Sequence, residues 1–310
     1  MPSLGTRPRV TSTPHHPTLR LTTLGAVELA AVEPGGEPRP LLGAGKPTAL
    51  LAYLAAVPQR ATSREALVDL LWSNTEPDTA RRNLRQTVFL LRRVLGEGAL
   101  VGHGDDLRLA VQIAVDRDEF LAAVEAGDHQ RAIAIYRGPF FPAYAAPGGA
   151  DFEHWADLER ERLRITFIRV LETLVRATLR AHHNRDAVQL ARRLVDAAPE
   201  REASQRILLE ATISAGEWLQ AATEADRIEA AFRAEGRTPE PTTAALLRAA
   251  RQVTDTGTQS AEATLVAELV GREGEFAKIV EAWDAARTGV PVHVHIVGEA
   301  GIGKTRLLAE

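Results

Sequence analysis

The sequence predicts a mainly α-helical chain with a small β component. A winged helix-turn-helix comes first, a tetratricopeptide-like helical domain follows, and the truncated start of an α/β P-loop domain closes the chain. Three observations carry this reading. Short extended segments, three helical segments and a closing hairpin follow one another over residues 18–111. A 34-residue self-similarity runs through the helical stretch beyond them. A strand-like run then leads into GEAGIGKT.

At 310 residues the chain can hold two or three separate cores. Apolar residues make up 45% and charged residues 25%, an ordinary globular balance. The lack of cysteine excludes a disulfide framework and thiolate chemistry. The longest uncharged apolar run, Thr48 to Val57, is too short to span a bilayer, and the amino terminus has no signal-peptide pattern. A cytosolic protein without a membrane partner is expected. Charge is shared unevenly: residues 1–110 carry a net +3 and the remainder −7, a basic module on an acidic body.

Residues 1–17, rich in Pro, Ser and Thr, are expected to be a disordered tail. LRLTTL and AVELAAV flank Gly25, and RPLL follows Pro34-Gly35-Gly36, which predicts two or three short antiparallel strands. A helix starts after Pro47 and stops at Pro58. Thr62 and Glu65 have capping-box spacing and open a second helix carrying Leu67, Leu70, Leu71 and Trp72. Asp78 is the expected cap of a third helix. After Gly96, ALV and LRLA around GHGDD form a hairpin, the wing.

The third helix carries the chemistry. In Thr79 to Gly96, TARRNLRQTVFLLRRVLG, the residues Ala80, Leu84, Val88, Leu91 and Leu95 fall on one stripe. Arg82, Gln86 and Arg93 point away from it, with Arg81, Arg85 and Arg92 on a flank. Those eighteen residues hold five arginines and no carboxylate, so an outside anion is the expected partner. Arginine forks suit phosphates and guanine edges, and Phe89 on the cationic face suits a thymine methyl or a sugar. The segment is read as the recognition helix of a double-stranded DNA binder. Arg82, Arg85, Gln86, Phe89 and Arg93 are candidates for base or sugar edges, and Arg81, Arg92 and wing residue Arg108 for phosphates. The competing reading of the helix in isolation is a solvated, arginine-rich surface.

In their order, LRLTTLGAVEL, SREALVDLLW, ARRNLRQTVFLLRRVLG, YRGPF and WADLERERL resemble the SARP-type bacterial transcriptional regulators over about residues 19–251. That resemblance implies a response-regulator-type winged helix joined to a helical bacterial transcriptional activator domain. It also implies repeated promoter elements, contact with RNA polymerase, and two copies on tandem sites. The polar insert Glu33 to Arg39 departs from the pattern.

Residues 116–251 are expected to be helical, with a Gly/Pro loop over 138–149 and one long helix from Phe152 to His183. Shifting by 34 residues superposes Ala177 on Ala211, Thr178 on Thr212, Ala187 on Ala221, Ala191 on Ala225 and Leu194 on Ile228. That is the tetratricopeptide period, and stacked helix pairs offer a concave surface to proteins. A plain spacer bundle is the alternative. His182, His183 and Trp218 are assigned to packing, because no second ligand set stands at metal spacing, and so are Trp155 and Arg162, which belong to the stretch that resembles the family.

Residues 252–264 read as a polar linker, and residues 265–310 as the incomplete start of a P-loop domain. VHVHIV, Val292 to Val297, is expected to be a buried strand. Gly298, Gly303, Lys304 and Thr305 complete G-x4-G-K-[ST], with Gly301 in the same loop. Backbone N–H groups would cradle phosphate there, Lys304 would reach the β/γ oxygens, and Thr305 would hold Mg²⁺. The segment resembles the start of the signalling P-loop ATPases of larger SARP-type members. Some forty residues cannot complete such a sheet. ATP with Mg²⁺ is therefore expected of the intact parent and not of these 310 residues. With no nucleophile elbow, zincin motif or cysteine, the chain is expected not to be an enzyme. Two other readings compete: a signalling P-loop ATPase whose front domains are adaptors, and a repeat-based adaptor that has lost DNA contact.

Overall fold

The computed structural model describes residues 18–145, 149–251, 273–287 and 293–296. Two compact units divide the chain, residues 1–199 and residues 200–310. The expected tail, the linker over 252–264 and the loop from Gly298 to Thr305 lie outside the described residues.

The first unit begins with β1 (Thr18–Thr22), β2 (Glu28–Val32) and β3 (Arg39–Leu42), followed by α1 (Lys46–Ala56), β4 (Ala61–Ser63), α2 (Arg64–Trp72) and α3 (Pro77–Leu95). Then come β5 (Leu100–His103), β6 (Asp106–Leu109), β7 (Ala114–Val115), α4 (Asp116–Glu125), α5 (His129–Ile135), α6 (Ala150–Arg180) and α7 (Asn184–Ala197). One sheet has the order β3-β2-β1-β7, and a smaller one the order β4-β6-β5. The polar insert closes the β2–β3 hairpin through a Gly36 N–H donated to the Glu33 carbonyl. Leu21, Leu29, Leu50, Leu54, Leu67 and Leu71 are fully buried.

Two caps differ from the sequence reading. Pro77 occupies the first turn of α3, which moves the cap to Glu76, whose carboxylate accepts the Thr79 N–H at 3.0 Å. Those first-turn backbone N–H groups hold the Glu76 carboxyl below its usual range. At α2 the cap is Ser63, accepting from Ala66 N at 3.1 Å, because Thr62 is held in β4 opposite Leu107.

The wing-bearing part and the first helices fold as one. β7 runs parallel to β1 and delivers Asp116, which is 4% exposed, beneath Thr23 and Leu24. Its carboxylate accepts from Thr23 N, Thr23 Oγ1, Leu24 N and Arg117 N at 2.6–3.0 Å. The Gly25 N–H donates to the Pro139 carbonyl at 3.0 Å, and a methyl on Gly138 would come within 2.8 Å of the Gly25 Cα. Tyr53 of α1 meets Trp155 of α6 edge-on at 5.1 Å, so Trp155 packs as expected. Arg162, expected to pack, is instead exposed and bound to Glu159, because its position on α6 faces outward.

The second unit contains α8 (Glu202–Ser214), α9 (Trp218–Ala234), a helix α10 over 241–251, and α11 (Glu273–Arg287). Leu209, Ala221, Ala225, Ile228, Phe232, Leu247 and Ala250 form its core. The 34-residue repeat appears in the backbone. α6 and α8 end alike: His183 N donates to Thr178 O, and Glu217 N to Thr212 O, each at 3.1 Å. The residues that turn the chain are His182 (φ 59°) and Gly216 (φ 74°). His182 is therefore an exposed turn residue, not a packing one. A side chain in the left-handed region costs about 1 kcal/mol that glycine avoids. His182→Gly is expected to raise the unfolding midpoint in urea, by roughly that free energy, with the helical signal unchanged.

Residues 293–296 are not a buried strand: they have no regular secondary structure, and His293, Val294 and His295 are exposed. No strand pairs with them among the described residues, and a lone strand leaves its backbone groups to water. No helix among the described residues is long and apolar enough to cross a membrane.

Candidate nucleic-acid interface

α3 buries Ala80, Leu84, Thr87, Val88 and Leu91 against the core, so the opposite face turns outward. Arg82, Arg85, Gln86, Phe89 and Arg93 are all exposed, Phe89 at 66%. Arg82 and Arg93 make no hydrogen bond or ion pair among the described residues. Arg82, Gln86, Phe89 and Arg93 recur at the spacing of one helical face, with the flat Phe89 ring between cations.

The flank is less purely cationic than the sequence suggests. Arg81 pairs with Asp78 at 3.1 Å, a carboxylate just outside the eighteen-residue window. Both partners are well exposed, so the pair contributes little and yields readily to a phosphate. Arg81 and Arg85 also line a cleft of about 690 Å³ between α2 and α3 that includes Glu65, Asp69 and Asp105. The outer row from Arg82 to Arg93 is thus the more strongly unopposed.

Arg92 has a different position from its neighbours. Its Nε and Nη2 donate to the Leu100 carbonyl at 3.0 and 2.8 Å, which ties the end of α3 to the start of the wing. The arginine run in the sequence does not separate this tether from its exposed neighbours; only the chain reversal at Gly96 (φ 101°) brings Leu100 within reach.

The wing is the β5–β6 hairpin, with register His103↔Asp106 and Gly104 at positive φ in its two-residue turn. Arg108 is exposed on β6. The tip carries Asp105 and Asp106, both exposed, while the Asp105 carbonyl accepts the Arg64 N–H at 3.0 Å. Two carboxylates at the tip repel phosphate. Asp106→Asn is expected to tighten duplex binding several-fold at low salt and hardly at all at high salt, measured by fluorescence anisotropy.

No group of three or more His, Cys, Asp or Glu among the described residues is placed to hold a metal ion. The nucleotide-loop residues Gly298, Gly301, Gly303, Lys304 and Thr305 lie outside the described residues.

Comparison with known proteins gives three domain matches in the order in which the elements occur. Residues 39–101 match the family described as transcriptional regulatory protein, C terminal. Residues 110–251 match the bacterial transcriptional activator domain, and residues 268–310 the AAA ATPase domain. The chain is similar to the regulatory protein AfsR of Streptomyces griseus, 26% identical over 93% of this chain and 32% of the relative. It thus spans about a third of that relative's length. Among solved structures it is similar in fold to Mycobacterium tuberculosis EmbR, solved in complex with a low affinity phosphopeptide. The TM-score is 0.57 and the identity 20%, covering 80% of this chain and 70% of that one.

Proposed function

We propose that this chain, which belongs to the SARP-type bacterial transcriptional regulators, reads promoter DNA by docking α3 in the major groove. DNA-binding regulation of transcription is the family's work; the roles of particular residues are our reading. The observation that carries it is the outward row Arg82, Gln86, Phe89 and Arg93, set opposite the buried stripe, with no carboxylate paired to Arg82 or Arg93 among the described residues. Arg82, Arg85, Gln86, Phe89 and Arg93 would meet base or sugar edges. Arg81 and Arg108 would meet phosphates, setting register without reading sequence. Arg92 holds the wing to α3 and adds positive potential.

An activator needs a second surface for the transcription machinery. Leu158 and Ile165, seven residues apart on α6, are 61% and 40% exposed and support contact with RNA polymerase. In a longer parent, ATP with Mg²⁺ held through Lys304 and Thr305 would add nucleotide-linked regulation, and two copies would occupy tandem sites. The AAA ATPase match favours a second reading, in which an ATPase is the main output and the front domains act as adaptors.

Footprinting of the 310-residue chain on the DNA upstream of the parent gene's neighbours separates the two. A protected site that survives heparin and unrelated DNA at moderate salt supports the first reading. Binding that unrelated DNA removes at every salt concentration would overturn it.

A further inference from the structure

A second cationic feature lies away from α3. A pocket of about 370 Å³ opens between the end of α5, the middle of α6 and the last turn of α7, all within the first unit. Tyr136, Arg137, Arg164, Phe167, Arg193 and Asp196 line it. Tyr136 is 8% exposed, its ring stacked on Phe167 at 4.1 Å, yet its hydroxyl has no hydrogen-bond partner among the described residues. The hydroxyl is not among the fully buried atoms, so it stays reachable from the pocket that Tyr136 lines, and a partner can arrive there. Burial pushes this phenol up to about 12, so near neutral pH it is a donor.

The arginines around it hold different commitments. Arg164 is gripped by Glu161 at 2.9 and 3.0 Å and donates to the Ala197 carbonyl, which makes it a fixed wall. Arg193 donates one Nη to the Ile133 carbonyl at 3.0 Å and lies 5.7 Å from the centre of the Phe167 ring. Arg137 is exposed, with no side-chain partner among the described residues. Asp196 is the carboxylate of the lining; with Arg164 already paired to Glu161, the three guanidinium groups keep a surplus of one positive charge.

We propose that this pocket binds a small organic oxyanion, a carboxylate or a phosphate monoester on an apolar body. The Tyr136 hydroxyl and the Arg137 and Arg193 guanidinium groups are its donors. Guanidinium forks and a neutral phenol all donate, which suits an oxyanion, and Phe167, Pro139 and Ala197 provide the apolar wall. The volume is that of a small-molecule site and too small for a duplex backbone. The lining segment 137–139 is also the one that meets Gly25 beside β1, so an occupant would touch the seam between wing-bearing part and helices.

Calorimetric titration of the 310-residue chain with phenyl phosphate and, separately, benzoate tests this. Saturable one-site heat with either probe is expected, and the probe that binds names the oxyanion. Tyr136→Phe and Arg137→Gln should each weaken binding about tenfold, the size of one charge-assisted hydrogen bond. The double variant Arg82→Gln/Arg85→Gln should leave it unchanged. No saturable heat with either probe would overturn the proposal. So would unaltered binding by Arg137→Gln, or loss of binding in the α3 double variant. Circular dichroism checks that Tyr136→Phe folds; if it does not, the exposed Arg137→Gln decides the matter.

Discussion

Arg82→Ala is expected to weaken binding to the protected promoter site by about 1–3 kcal/mol and to relax its sequence preference. Arg82 is the test position because it is exposed and without an ion pair among the described residues, so removing it disturbs nothing in the fold. Arg85 gives the contrast. It shares its cleft with Asp69 and Asp105, and its Nε lies 3.4 Å from the Arg81 carbonyl, so Arg85→Ala should cost less. Anisotropy titrations on the cognate duplex and on single-base variants, at several salt concentrations, separate the possible roles. A base contact loses discrimination at one position. A phosphate contact weakens all duplexes alike and lowers the salt slope by about one. If Arg82→Ala binds every duplex as the parent does, α3 is not the reading element.

The parts of α3 visible in sequence are those fixed by local periodicity. Ala80, Leu84, Val88 and Leu91 recur at helical spacing, which alone determines that Arg82, Gln86 and Arg93 point outward. The wing was legible for a similar reason, since GHGDD between two short apolar runs is a local turn signal. The 34-residue offset even anticipates that His182 and Gly216 share one backbone position. What escaped are features set by distant chain. β4 and β7 have three and two residues, too few to show alternation, and exist because β6 and β1 offer them partners. Arg92, set on the flank with Arg81 and Arg85, could not be told from them until Leu100 folded back onto it. The acidic wing tip was present in the letters Asp105 and Asp106, but its meaning depends on which surface faces a phosphate.

Asp116→Ala is expected to produce the largest loss of stability, about 3–5 kcal/mol. This carboxylate is buried and takes bonds from Thr23 N, Thr23 Oγ1, Leu24 N and Arg117 N. Removing it leaves several donors without an acceptor in a place that water does not reach, and each such donor costs more than its bond contributed. For a unit of this size the thermal midpoint should fall by roughly 6–20 °C. Asp116→Asn should lie between. An amide oxygen in place of Oδ1 keeps the Thr23 and Arg117 bonds, while the amide nitrogen meets the Leu24 N–H donor to donor. The consequence extends to DNA binding. β1 is held from one side by Asp116 and β7, and from its turn by Gly25 against Pro139, so the winged helix is completed by chain belonging to the activator-domain match. Asp116→Ala should therefore weaken promoter binding at 37 °C through unfolding alone and recover it on cooling. A binding deficit unchanged by temperature, with the melting curve of the parent, would show that Asp116 is not the joint between the two parts.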